Sequence, residues 1–176
     1  MYHDTFVAVL GNGPCDALLS EKKRGWLLQK NTLQGIHFSC GAEDRLLLAI
    51  ERVRNLSKEG RPAAGIILAS GFPYHRAGSD WTTAVAMETY CLKLFKELEG
   101  VQGFSTPKLI VNRDSAIHGL TAEMRWAYEM AKQKSAEPRI EFVTSSLVGI
   151  QARCINWWKL RIPNLGFIPQ DELAVI

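Results

Sequence analysis

The chain has no run approaching the roughly 20 consecutive apolar residues that a membrane-spanning helix needs. Its first residues, MYHDTFVAVLG, show no basic segment followed by a long apolar one. A soluble, untargeted, cytoplasmic protein is therefore expected. Cysteine is scarce: Cys15, Cys40, Cys91 and Cys154 lie far apart, with no CxxC and no Cys/His pair at metal spacing. They read as reduced thiols and give no metal site, with a Cys15–Cys40 disulfide as the alternative because both flank one long connection. Blocks of like charge are missing too. The 21 basic and 18 acidic residues, net +3, are dispersed along the chain, so no nucleic-acid arm is present and no nucleic-acid partner is expected. Neither a complete GxGxxG nor a GxSxG elbow occurs, and no internal repeat or low-complexity segment is found.

What is present is an ordinary globular composition, 47% apolar and 22% charged over 176 residues, enough for one domain with a substantial core. Short apolar runs alternate with helical patterns. Thr5 to Leu10 is β-branched and closes on Gly11-Asn12-Gly13-Pro14, as a buried strand ending in a turn does. Residues 15–41 show no clean period and read as an insertion or edge segment, and a protein partner could engage it. Glu43 to Glu59 places Leu46, Leu47, Ile50 and Val53 at helical spacing before Gly60 and Pro62. Arg45 lies in that helix's first turn, where a cation opposes the helix dipole; it is either a surface residue or aimed at an anionic ligand.

Ala64 to Ala69 is continuously apolar, the pattern of a central parallel strand covered on both faces. It runs into Ser70-Gly71 and a loop holding His75 and Arg76. Ser79 is the expected N-cap of the next helix, with Ala84, Met87, Cys91, Leu94, Phe95 and Leu98 inward. Pro107 to Val111 gives a third buried strand, left by Asn112-Arg113-Asp114-Ser115, and a helix follows from Leu120 to Lys134. Arg139 to Val143 gives a fourth strand, after which Thr144, Ser145 and Ser146 can cap a helix burying Leu147, Ile150, Cys154 and Trp157. Of Trp157-Trp158, one ring in the core and one on the rim is expected, with a binding surface as the alternative. Leu160 to Ile168 is a final strand, and Pro163 confines it to an edge.

Strands alternating with helices throughout predict a three-layer α/β domain with a mostly parallel sheet of about five strands. In such a sheet ligands bind beyond the carboxyl ends of the strands. Those ends here are Gly11-Asn12-Gly13, Ser70-Gly71 with His75 and Arg76, Asn112 to Ser115, and Thr144-Ser145-Ser146. Together they can cradle a phosphate, ribose or carboxylate, although the same residues also serve as turn formers and caps. His75 with Asp114 is a candidate acid–base pair, and Ser70 or Ser115 a candidate nucleophile, without a motif to support either.

These rim residues resemble the SanA/YdcF/ElyC-like domain family over roughly Phe6 to Trp158. The matching pieces are Leu10-Gly11, Asp44-Arg45, Ser70-Gly71, Ala84-Val85-Ala86-Met87 with Tyr90, Ser115 with Thr121 and Glu123, and Val143-Thr144-Ser145. The resemblance implies a Rossmann-like fold and a site for a nucleotide-like or phosphorylated small molecule, S-adenosylmethionine in one branch. The chain departs from the family at Thr83 and Asn112, each in place of a Glu, at Val148 and Gln151 in place of His and Arg, and at Met124 in place of Asn. Those losses leave open a retained binding site with altered or absent catalysis, or a degenerate scaffold protein.

Overall fold

The structure, a computed structural model, describes residues 4–11, 42–72, 82–100, 104–144 and 146–169. The sequence TFVAV is β-branched or apolar at every position, and this strand, β1 (Thr5–Val9), is buried throughout. Such a strand is stable only where helices cover both faces, and β1 accordingly sits at the centre of the sheet. The remaining elements are α1 (Ala42–Lys58), β2 (Gly65–Leu68), α2 (Thr83–Glu97), β3 (Leu109–Val111), α3 (Leu120–Lys132), β4 (Arg139–Thr144), α4 (Ser146–Ile155) and β5 (Leu165–Pro169). A π-helical turn over Asn156–Leu160 extends α4.

All five strands are parallel, in the order β3-β2-β1-β4-β5. The chain steps one way from β1 to β2 to β3, then returns past β1 to β4 and continues outward to β5. Right-handed crossovers taken in opposite directions put their helices on opposite faces. One face, with Val7, Val9, Ile66, Leu68 and Val143, packs on α1 and α2; Leu46, Ile50, Met87 and Phe95 fill that layer. The other, with Phe6, Ala8, Ile67, Ile140 and Phe142, packs on Met124, Ala127 and Ala131 of α3 and Ala152 of α4. The result is a Rossmann-like three-layer α/β fold whose strand order reverses between β1 and β4. Among the described residues no helix is long and apolar enough to cross a membrane.

Four local expectations are corrected. β3 is half-buried rather than buried, because it is an edge strand with one neighbour. Helix α2 is capped by Thr82 rather than Ser79: the Thr82 hydroxyl accepts the Val85 amide at 3.3 Å. Leu47 is exposed, and Ala49 and Leu56 are buried instead. The largest departure is α4, where Ile150 and Trp157 are 61% and 73% exposed and Cys154 is exposed as well. Gly149 and Ala152 face the interior in their place. The helix carries two stripes that could pack, and the one with small side chains lets its backbone come closer to the sheet. The core–rim split expected for Trp157 and Trp158 fails with it, since Trp158 is also 76% exposed.

One buried charge lies within a layer. Glu141, on β4, accepts two hydrogen bonds from Arg52 of α1, Nε at 2.7 Å and Nη2 at 3.1 Å, and a third from Arg139 at 3.2 Å. Its register partner on β5 is Gly166, where a Cβ would come 3.1 Å from Glu141 Cγ, so glycine leaves the room that the carboxylate stem occupies. Burial pushes the Glu141 carboxyl up, but the hydrogen bonds and charge of Arg52, joined by Arg139, outweigh it and hold the pKa below the usual range.

A lowered native pKa means that the unfolded chain binds more protons as pH falls, so this pair's contribution is complete above about pH 4.3 and is lost below it. Glu141→Gln is expected to cost about 1–3 kcal/mol at pH 7, at the low end of buried pairs because Arg52 is partly exposed. Urea unfolding of both proteins from pH 7 to pH 3 should show the difference shrinking; a constant difference would sink the electrostatic account.

Candidate functional site

The carboxyl ends of parallel strands carry carbonyls and amides for which the ladder has no further partner, and these must be satisfied by something else. At the end of β1 two ionisable side chains do this. Arg45, in the first turn of α1, is 3% exposed, and its Nη1 donates to Leu10 O at 2.9 Å and Gly11 O at 3.1 Å. The reading of Arg45 as a surface residue gives way to this buried position on backbone carbonyls. Glu123, in the first turn of α3, is 5% exposed and accepts the Gly11 amide at 3.0 Å. Gly11 therefore has both its amide and its carbonyl engaged by side chains from opposite faces of the sheet.

Ser70, which follows β2, completes the cluster. It is fully buried, and a Cβ on Gly11 would fall 2.0 Å from its hydroxyl, so only glycine fits there. The Ser70 carbonyl accepts the Ala84 amide at 2.9 Å. Its hydroxyl makes no hydrogen bond of regular geometry, although it lies near enough to Glu123 to favour the ionised carboxylate. Thr144, the last residue of β4, is also buried with an unpartnered hydroxyl, so it does not cap α4 as expected. Burial pushes the Glu123 carboxyl above its ordinary range. The Gly11 amide, the Ser70 hydroxyl, the Gly119 amide and the Arg45 charge pull it back without cancelling the effect.

A second polar knot ties the next two strand ends. Asn112, after β3, is fully buried; its Nδ2 donates to Ala69 O at 2.8 Å and Ile117 O at 3.1 Å, and its Oδ1 accepts the Asp114 amide at 3.0 Å. Thr82 donates its hydroxyl proton to Asn112 O at 2.6 Å. Gly71 donates its amide to Ile117 O at 3.0 Å, and a Cβ there would lie 2.2 Å from the carbonyls of Asp114 and Ile117. Gly71 is thus held by the protein's own loop, and its amide is already used.

The structure gathers Gly11, Arg45, Ser70 and Glu123 at one point and sets Thr144 at the end of the neighbouring strand. It does not bring Asp114 or Ser115 there: both are exposed on the loop after the edge strand β3, two strands or about 10 Å from β1. Asp114 accepts the Ala116 amide at 2.9 Å and so stabilises its own turn. Thr121 is half-exposed on the first turn of α3. Asn12, Gly13, His75, Arg76 and Ser145 lie outside the described residues, as does the 15–41 segment. Among the described residues no group of three His, Cys, Asp or Glu side chains is placed to hold a metal ion.

The locking role of Asn112 was not legible beforehand; its only signal is an amide side chain directly after a strand. Burial of the two ions had a clearer one. Arg45 precedes Ala49 and Val53, and Glu123 precedes Ala127 and Ala131, all at steps of four along buried stripes. The chain matches no protein-family model, no curated protein and no solved structure.

The raised Glu123 pKa sets a pH dependence opposite to that of Glu141. Native protein holds the Glu123 proton to higher pH than the unfolded chain, so stability falls as pH rises from about 4.3 through the native value. Glu123→Gln removes this loss and is expected to equal the wild type near pH 4 and exceed it at pH 7.5, by urea unfolding. A variant less stable at pH 7.5 would show that Arg45 requires the charge. Gly71→Ala is expected to lose about 3 kcal/mol, because backbone carbonyls cannot step aside as a side-chain end can.

Proposed function

We propose that the chain is a small-molecule-binding domain of the SanA/YdcF-like type, acting in the cytoplasm on a nucleotide-like or phosphorylated metabolite, with S-adenosylmethionine among the candidates. The observation that carries this reading is the buried Glu123 carboxyl group beside Ser70 and Gly11 at the carboxyl ends of β2 and β1, with Gly11 and Thr144 bordering the strand-order reversal between β1 and β4. Parallel sheets bind ligands at that crevice, and a displaced pKa beside buried hydroxyls makes Glu123 a candidate site residue. The amides of Gly11 and Gly71 are consumed within the protein, so recognition falls to side chains. Glu123 accepts hydrogen bonds from a hydroxyl or amine and repels a phosphate. A ribose or amino group therefore belongs next to it, and the anionic part of the ligand belongs further out along the rim. The reading assigns no catalytic step.

A second reading, a non-catalytic interaction or scaffold protein, is favoured by a different observation: Trp157 and Trp158 are both largely exposed. In that reading residues 15–41 also offer a partner surface.

A thermal-shift panel of nucleosides, nucleotides, S-adenosylmethionine and sugar phosphates tests the first reading. A true ligand at about 100 times its dissociation constant adds about 2.7 kcal/mol, or about 5–10 °C for a chain of this size. Thr144→Val, which keeps the shape and removes the hydroxyl, should diminish the shift, as should Glu123→Gln. A panel that moves nothing counts against the ligand and leaves the interaction reading.

A further inference from the structure

Helix α4 and its π-helical extension carry an apolar stripe that faces outward. Ile150, Cys154, Trp157 and Trp158 are spaced as i, i+4, i+7 and i+8, one side of a helix, and all four are exposed. The docked side is the opposite one, made by Gly149 and Ala152. Two adjacent indoles at about three-quarters exposure are unusual on a folded surface, which rarely leaves large apolar patches uncovered without a use for them.

The arrangement is built rather than frayed. The π-helical turn over Asn156–Leu160 sets the two rings edge to face, 5.1 Å apart. Arg161 ends the turn in the left-handed region at φ 50° and donates its amide to Asn156 O at 2.7 Å. The Asn156 side chain clasps Ile162 on both sides, accepting its amide at 2.8 Å and donating to its carbonyl at 3.1 Å. Between Asn156, Trp157, Trp158, Arg161 and Ile162 lies an open cleft of about 520 Å³. From Phe142 to Gln170 the sequence contains no acidic residue, while Lys159 and Arg161 stand exposed beside the indoles. Arg153 is held over the Phe167 ring at 5.3 Å.

We propose that this stripe docks on an anionic lipid bilayer, with Trp157 and Trp158 at headgroup depth, Ile150 and Cys154 toward the acyl chains, and Lys159 and Arg161 on lipid phosphates. Indoles prefer that interface because one edge is polar and the rest apolar, and nearby cations add attraction to acidic lipids. The chemistry disfavours the other occupants. A second copy would bring further cations, Lys159 and Arg161, to a stripe with no acidic residue between Phe142 and Gln170 to pair with them. A single-stranded nucleic acid needs flat ring faces to stack on, whereas these rings meet at 90° and Ile150 and Cys154 offer none. This inference rests on the interaction reading and on nothing at the Glu123 rim.

Co-sedimentation with vesicles of phosphatidylcholine alone, and of phosphatidylcholine mixed with phosphatidylglycerol, tests it on the full chain. Binding is expected to the mixed vesicles and to weaken as salt is raised. Trp157→Ala with Trp158→Ala should reduce binding at least about tenfold, and Lys159→Ala and Arg161→Ala about fivefold each. All four residues are exposed, and thermal unfolding checks that each variant retains its fold. No binding to either vesicle, or binding that survives loss of both indoles, overturns the proposal. So does a lipid-free dimer that the double Trp variant converts to monomer, which would give the stripe to a second copy and keep the interaction reading. A rim-ligand thermal shift unchanged in the double variant would separate the two sites.

Discussion

A parallel strand buried at the centre of a sheet has to end somewhere, and the backbone groups at its end lose their ladder partners while still shielded from water. At β1 the answer is a pair of ionisable side chains of opposite sign. Arg45 from one helical layer takes the carbonyls of Leu10 and Gly11, and Glu123 from the other layer takes the Gly11 amide. Each ion lies in the first turn of its helix, so the requirement of one glycine fixes where α1 and α3 begin relative to the sheet. The arrangement also explains the tight fit around it. Ser70 occupies the space that a side chain at residue 11 would need, and Glu123, buried to satisfy backbone, is driven toward its protonated form.

The neighbouring strand ends are joined by a neutral version of the same solution. Asn112 supplies two donors and an acceptor to three backbone groups, one after β2 and two in the loop after β3, and Thr82 caps α2 while donating to Asn112 O. The rim is therefore a framework of satisfied backbone in which the unpartnered hydroxyls of Ser70 and Thr144 are exceptions. Buried polar groups without partners are costly, and in the proposed binding reading these two hydroxyls, rather than the occupied amides, are left to contact a ligand.

Much of the plan was legible. Continuous apolar runs at Thr5–Leu10 and Ala64–Ala69 gave the central strands, and the last strand is at an edge as expected, although Pro163 lies before it rather than in it. Most boundaries moved by up to three residues, as at the cap of α2, which is Thr82 rather than Ser79, but the last strand begins at Leu165 rather than Leu160 because the π-helical turn takes residues 156–160. The misreadings cluster where a segment had two acceptable faces. In α4 the stripe of Ile150, Cys154 and Trp157 and the stripe of Gly149 and Ala152 are both compatible with helical burial, and periodicity ranks the larger side chains first. Close approach to the sheet favoured the smaller ones. Gly71, expected on the rim with Ser70, makes its close approach to the loop after β3.

By itself the sequence determined the order of the strands and α-helices among the described residues, because hydrophobic period and turn residues act locally and leave few ways to bury each run. It also determined that polar, small and hydroxyl-bearing residues would gather on one rim, since every strand of a parallel sheet ends on the same side. Only the tertiary structure decided which of them meet. Gly11, Arg45, Ser70 and Glu123 are distant in the chain, and their convergence depends on the sheet order that sends the chain back past β1. The same holds at α4, where packing against the sheet selected the buried stripe and left two tryptophans facing outward.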